Sequence, residues 1–486
     1  MTDAGGRGGA RRRVEGACQA GLRRALRRTI GSPRPDRWPG LRRLLLCAAA
    51  AAGAVAVGPA AIRSNAGPVP AARAEPTWEE IQAAARLAHD RKDYQAYRAA
   101  CEKLLVLLSG HPDIVFATAK AEALLGHGAA AMEWLNRFAA MGLVRDLAAE
   151  PDLASLKQDG GMPALLARLA ANAQPVSRSI RAFTLGDPDL LTEDIAYDPG
   201  RRRFLVSSIR EAKIVTVDAR TGATAGFVPA GRDAIWGVLA LAVDARRGVL
   251  WATTGAMAQT RGYQAADAGH TAVLRYDLGS GKLQKRYDAP LPAATVPAGE
   301  RERVLGDMTV APNGDVFASE GDAGAVYVIR HDRDVLETLV PEGVFPSPQT
   351  PAVTPDGRRL LVADYVRGIG VIDLATRAVT WMPHPYDVAV SGIDGLYLSG
   401  ASLLAVQNGT TPNRVIRLDL DPSLSRILRW EPLESSSAGL GVPTHGTLVG
   451  KDFYFLANSG WDQLADDGSL KPGGKLTPAA VLRVTL

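Results

Sequence analysis

Glu193, Asp394 and His445 carry the side chains in this sequence best suited to chemistry, and what singles them out is their place in a repeat. Aligning six related segments puts one residue per repeat at the same structural position: Glu193, Leu239, Gly306, Gln349, Asp394 and His445. Taken singly, an Asp or Glu in a β-rich chain is a solvated turn residue and a lone His a satisfied core residue. In register they face one axial opening, where two carboxylates, an amide and an imidazole either repel or share a partner. Hard oxygen donors crowded at one point suit a divalent cation, Ca²⁺ or Mg²⁺ most naturally, or Zn²⁺ or Mn²⁺ in an open coordination.

The elements that must hold these residues are strands. A strand of alternating apolar residues recurs six times, as Ile214–Asp218, Val273–Asp277, Val326–Arg330, Ile369–Asp373, Val415–Asp419 and Val481–Thr485. A two-strand unit with a turn precedes each copy, most legibly Ala352 to Asp364, and a further strand follows the first five. Four strands repeated six times at about 45 residues predict a six-bladed β-propeller. The sixth copy lacks its last strand; Ser179 to Leu185 has the pattern to supply it and close the ring, which removes an open sheet edge. Extra length falls between the second and third strands of blades two and six, in Gly255–His270 and Asn458–Pro478. Both loops are expected on the face of the axial residues, flanking blade one, with Arg261, Tyr263 and Trp461 as candidate walls of a substrate site.

Ahead of the strands, residues 78 to about 173 are rich in Ala and Leu at helical spacing, broken at Gly110-His111-Pro112 and Gly126-His127-Gly128. The segment from Asp93-Tyr94 to Leu135 resembles tetratricopeptide helical hairpins. It reads as a packing or interaction module, with His89, His111 and His127 as surface or capping residues and a protein partner as its natural use.

The chain has 486 residues, a formal charge of +5 and three Cys. That charge is uneven. Residues 1–74 hold 14 Arg and three acids, a net of +11, and the remaining 42 basic and 48 acidic residues leave the body at −6. Leu41-Arg42-Arg43, the apolar run 44–58 and Ala72-Arg73-Ala74 have the three parts of a secretory signal, with cleavage expected after Ala74. Export to the periplasm or medium follows, with no stable membrane span after cleavage and Cys101 the one cysteine left. The expected organisation is a targeting segment (1–74), a small all-α tetratricopeptide-like domain (75–173), a linker (174–179) and an all-β six-bladed propeller (180–486). No aromatic-basic stripe suggests nucleic acid, no Gly-x-Ser-x-Gly elbow appears, and Leu278 to Lys282 reads as a hairpin turn rather than a phosphate loop.

Residues 180–486 resemble the gluconolactonase and senescence-marker-protein (regucalcin-like) family of six-bladed propellers. The matching segments are Thr192 to Asp198, Gln349 to Asp364, Ile393 to Leu396, Pro443 to Gly446 and Ala457 to Trp461. The resemblance implies a divalent metal held by Glu193, Gln349 and Asp394, with Gln349 standing where the family has Asn. It also implies substrate contacts at Asp307 and Asn458, although Gly306 replaces a further Asn. The implied activity is metal-assisted opening of a lactone by water, with Asp394 as general base and His445 orienting substrate or relaying a proton. A non-catalytic propeller that binds a ligand or partner is the alternative.

Overall fold

The computed structural model describes residues 76–292 and 303–486. The expected leader and its cleavage site lie outside the described residues. The chain divides into two compact units, one through Ala100 and one from Cys101 onward.

In the first unit, the helix Trp78–Asp90 opens on a capping box: the Thr77 side chain accepts from the Glu80 N–H while the Glu80 carboxylate accepts from the Thr77 N–H. A second helix, Tyr94–Leu107, runs across the unit boundary.

In the second unit three more helices follow, Pro112–Leu124, Gly128–Ala140 and Met162–Asn172. The two expected breaks fall between helices. His111 caps the first of these three, its Nδ1 accepting from the Asp113 N–H at 3.2 Å, with Pro112 at the helical position that tolerates it. His127 lies 2.7 Å from the Glu122 carboxylate. Val115, Phe116, Leu135, Phe138 and Leu165 form one buried cluster that takes in Ala389 of the strand region. Among the described residues no helix is long and apolar enough to cross a membrane.

Twenty-four of the strands make six four-stranded antiparallel sheets, the blades. Blade one comprises Ile195–Asp198, Arg203–Ser208, Lys213–Asp218 and Thr224–Val228. Each blade stacks face to face on the next, so its middle strands are buried on both sides: Val316–Glu320 and Ala325–Ile329 are buried throughout. Six apolar clusters fill the six junctions, for example Leu205, Ile214, Leu250 and Leu274 between blades one and two and Phe204, Val206, Leu456 and Val481 between one and six. At roughly 1.5–3 kcal/mol for each large apolar side chain buried, these junctions are the main stabilising term.

The ring closes as expected. Ile180–Thr184 pairs antiparallel with Ala480–Thr485, with Ile180 opposite Arg483 and Thr184 opposite Ala480. Val176–Ser177, within the stretch read as a linker, adds a short fifth strand to blade five opposite Ser435 and Glu434. The Glu434 carboxylate fixes it there by accepting from the Ser179 N–H and hydroxyl.

The Asp that ends several third strands has a local cause. Asp218 accepts from the Arg220 and Thr221 N–H groups, Asp277 from Ser280, and Asp373 from Ala375 and Thr376. Each is an Asx turn that starts the outer hairpin.

Candidate metal centre on the propeller axis

Glu193 lies two residues before the inner strand of blade one, Asp394 is the second residue of Ile393–Ser399 in blade five, and His445 immediately precedes Gly446–Val449 in blade six. Ligating atoms of the three lie within 4.8 Å of one another, and all three residues are buried. The approach depends on the glycine after Asp394: a Cβ at Gly395 would sit 3.0 Å from the Thr444 carbonyl oxygen and 3.1 Å from the Tyr397 hydroxyl.

Hydrogen bonds across the axis tie the blades together. The His445 imidazole faces the Glu193 carbonyl through Nδ1 at 3.0 Å and the Asp307 carboxylate through Nε2. Thr350 places its hydroxyl 2.7 Å from Asp307 Oδ1 and 2.8 Å from the Asp394 carbonyl, bridging blades three, four and five. Asp194 accepts from the Ile195 and Leu241 N–H groups, each at 2.7 Å, joining blades one and two. Asn408 donates to Asp394 Oδ2 at 2.6 Å and to the Pro443 carbonyl at 3.0 Å, joining five and six.

Four buried carboxylates therefore share the axis, from Glu193, Asp194, Asp307 and Asp394. Burial, reinforced by Asp394, pushes Glu193 well above the ordinary carboxylate range. Burial likewise raises Asp394, although the His445 charge opposes it, and takes Asp194 to about 7. Burial works against the His445 imidazolium, but Asp307 and Asp394 more than offset it and hold it protonated well above its usual range. With an acceptor at each ring nitrogen, His445 serves the cluster as a cation rather than as a lone-pair donor. One imidazolium against four carboxylates leaves buried negative charge that requires protons or a further cation.

The donor set fits a hard divalent ion. Asp394 uses Oδ2 for Asn408 and Glu193 uses Oε2 for the Trp461 indole N–H, so Asp394 Oδ1 and Glu193 Oε1, the latter 3.7 Å from His445 Nδ1, are the oxygens that would face a metal. Beside them the Thr192 hydroxyl is buried without a hydrogen-bond partner. Glu193 and Asp394 would hold the ion, and its chemistry would be polarisation of a bound carbonyl and activation of water.

The other expected site residues divide. Asp307 belongs to the cluster, 3% exposed beneath His445. Trp461 reaches Glu193 directly. Gln349 turns its amide N–H to Ser347, 3.2 Å from the hydroxyl and 3.4 Å from the carbonyl, while Thr350 reaches the axis. The strand has an irregular register between Pro348 and Pro351, as the inner strands of blades two, three and five have at the same place. Arg261 pairs with Asp189 at 2.7 Å and with Glu211, which fastens the Gly255–His270 loop to blade one. Tyr263 is half-buried in that loop, where its N–H donates to the Thr260 carbonyl. Asn458 anchors its own loop, donating to Thr477 and Pro478 and accepting from the Ala480 N–H at 2.7 Å. Asn408, Thr350 and Asp194 were not among the expected residues. Asn408 was accessible to sequence reasoning, because it directly follows the second strand of blade five and so shares the axial face.

No protein-family model matches the chain, and no curated protein matches it. Solved propeller structures are similar to it at low identity. A luciferin-regenerating enzyme is 13% identical, with a TM-score of 0.43 over 64% of this chain and 96% of that one. A calcium-binding protein, regucalcin from Agrobacterium tumefaciens str. C58, is 13% identical, with a TM-score of 0.42 over 63% of this chain and 93% of that one. The PQQ-bound aldose sugar dehydrogenase of Streptomyces coelicolor is 16% identical, with a TM-score of 0.41 over 65% of this chain and 99% of that one.

Proposed function

We propose that this protein is an exported, divalent-cation-dependent hydrolase of cyclic esters, of the gluconolactonase-like type, with Ca²⁺ as the natural cation. The observation that carries the reading is the axial cluster, in which four buried carboxylates face a single imidazolium. The bound ion would polarise the lactone carbonyl and lower the pKa of water. Asp394, holding the ion through Oδ1, then accepts the proton of the attacking water at the remaining lone pair of Oδ2, the oxygen that Asn408 orients. The water oxygen bonds to the carbonyl carbon, the ring C–O bond breaks, and the proton passes to the departing ring oxygen. His445 keeps its place between the Glu193 carbonyl and the Asp307 carboxylate and balances charge during the step. The Arg-rich leader supports export, and the helical region offers a surface for a protein partner.

A second reading, a cation-binding propeller without turnover, draws on two contacts: Trp461 occupies one oxygen of Glu193, and Gln349 is bonded to Ser347. The experiment that separates them is metal analysis of the dialysed protein together with acid release from a panel of lactones, for wild type, Glu193→Gln and Asp394→Asn. Turnover lost in both variants supports the hydrolase. Stoichiometric metal without turnover selects the second reading, and protein that neither retains nor binds a divalent metal defeats both.

A further inference from the structure

The two long loops bring an apolar surface to the axial acids. Leu464 and Leu476, from the loop Asn458–Pro478, pack with Leu191, Ile209 and Leu239 of blades one and two, and all five are at most 8% exposed. Trp461 of the same loop joins this cluster with its ring while its N–H reaches Glu193, so the collar and the carboxylate share one residue. Leu239 is itself the axial residue of blade two. In blade three that position is Gly306, where a Cβ would meet nothing within 4 Å, so open space adjoins the axis.

Most polar side chains around this collar are already engaged, the buried Thr192 and Thr260 hydroxyls being the exceptions. Arg261 is held by Asp189 and Glu211, Asn458 by Thr477, Pro478 and Ala480, and the Gln349 amide N–H by Ser347. Two hydroxyls cannot serve a polyhydroxylated ring, which buried here would strand most of its own hydroxyls, each at a cost of about tenfold in affinity. A hydrocarbon chain entering between loop and blades exchanges one apolar contact for another.

We propose that the collar takes the hydrocarbon part of the substrate, so that the ligand is a lactone with an aliphatic ring or chain rather than a sugar lactone; the lactone head group rests on the hydrolase reading above. The test is calorimetric binding to the Ca²⁺-loaded full chain of δ-lactams bearing alkyl substituents of increasing length, which resist hydrolysis, against the lactam of gluconic acid. Affinity is expected to rise about fourfold per methylene, with the polyhydroxylated lactam at least tenfold weaker than the alkyl series. Leu239→Ala should flatten the chain-length dependence and Leu239→Met should keep it. Affinity indifferent to chain length, equal or tighter binding of the polyhydroxylated lactam, or no binding of any lactam would overturn the proposal. Chain-length-dependent binding without turnover of the matching alkyl lactones would defeat the hydrolase and leave the collar standing. Turnover of gluconolactone in preference to alkyl lactones would do the reverse.

Discussion

The Asn408 amide donates to Asp394 Oδ2 at 2.6 Å and to the Pro443 carbonyl at 3.0 Å, so one side chain aims the carboxylate of blade five and ties that blade to blade six. Partners that orient a ligating carboxylate act on affinity through geometry. Asn408→Ala is expected to weaken divalent-cation binding by about 10- to 100-fold with an unchanged far-ultraviolet circular dichroism spectrum. Titration calorimetry with Ca²⁺ checks it, and unaltered affinity would remove Asn408 from the site.

The raised axial carboxylates fix the sign of a pH effect. Unfolded, such groups titrate near 4; in the fold Glu193 is raised by burial and by Asp394, and burial takes Asp194 to about 7. From roughly pH 4 to 7 the native state therefore holds protons that the unfolded chain has released, and the stability of the metal-free protein falls as pH rises through that window. Metal binding must displace those protons, so cation affinity rises over the same range. Melting temperatures at pH 5 and pH 8, with Ca²⁺ and with chelator, should show this contribution. Glu193→Gln should lose part of it, and a variant with the pH response of wild type would clear Glu193 as a source.

Arg414 is buried without a carboxylate partner among the described residues: Nε donates to the Gln407 side-chain Oε1 at 2.7 Å and Nη1 to the Met141 backbone carbonyl at 2.6 Å, with the guanidinium 4.8 Å from the Trp430 ring centre. Burial lowers its pKa to about 9. Removing it strands two buried acceptors, so Arg414→Ala should cost on the order of 3 kcal/mol in urea unfolding. Gly142→Ala is expected to lose roughly 2 kcal/mol by a different route, because φ there is +72° and the new methyl would meet Trp430. A loss under about 0.5 kcal/mol for either would place that residue outside the contact that seats the Gly128–Ala140 helix on blade five.

Closure by Ile180–Thr184 predicts a threshold in truncation. A chain beginning at Gly186 leaves Ala480–Thr485 with a bare edge and should aggregate more than one beginning at Ala173, which keeps that edge paired. Size-exclusion chromatography distinguishes the two, and a monomeric shorter chain would show that the closing strand is dispensable.

The blades were legible because each copies the others. Alternation marked the strands, and Asp218, Asp277 and Asp373 marked the outer hairpins by their Asx turns. Glu193, Asp394 and His445 were legible for the same reason, since repetition supplies a register that no single residue carries. Gln349 shows where register stops helping: its amide N–H turns to Ser347, and the next residue, Thr350, meets Asp307 and Asp394. Arg261 was read as a wall because its loop is long and Asn458 as a substrate contact from the family resemblance; in the fold Arg261 pairs with Asp189 and Asn458 accepts from the Ala480 N–H. A loop's length says where it lies, not which of its side chains are free.

Residues 180–184 find their partner only once residues 480–485 have been made. Until then the strand translated first has nothing to pair with, and blades one and six wait on a single late event. The axial cluster waits with them, because Glu193 is on one side of that junction and His445 on the other. A chain interrupted just before Ala480–Thr485 would carry Glu193, Asp394 and His445 without the strand pairing that brings blades one and six together around them.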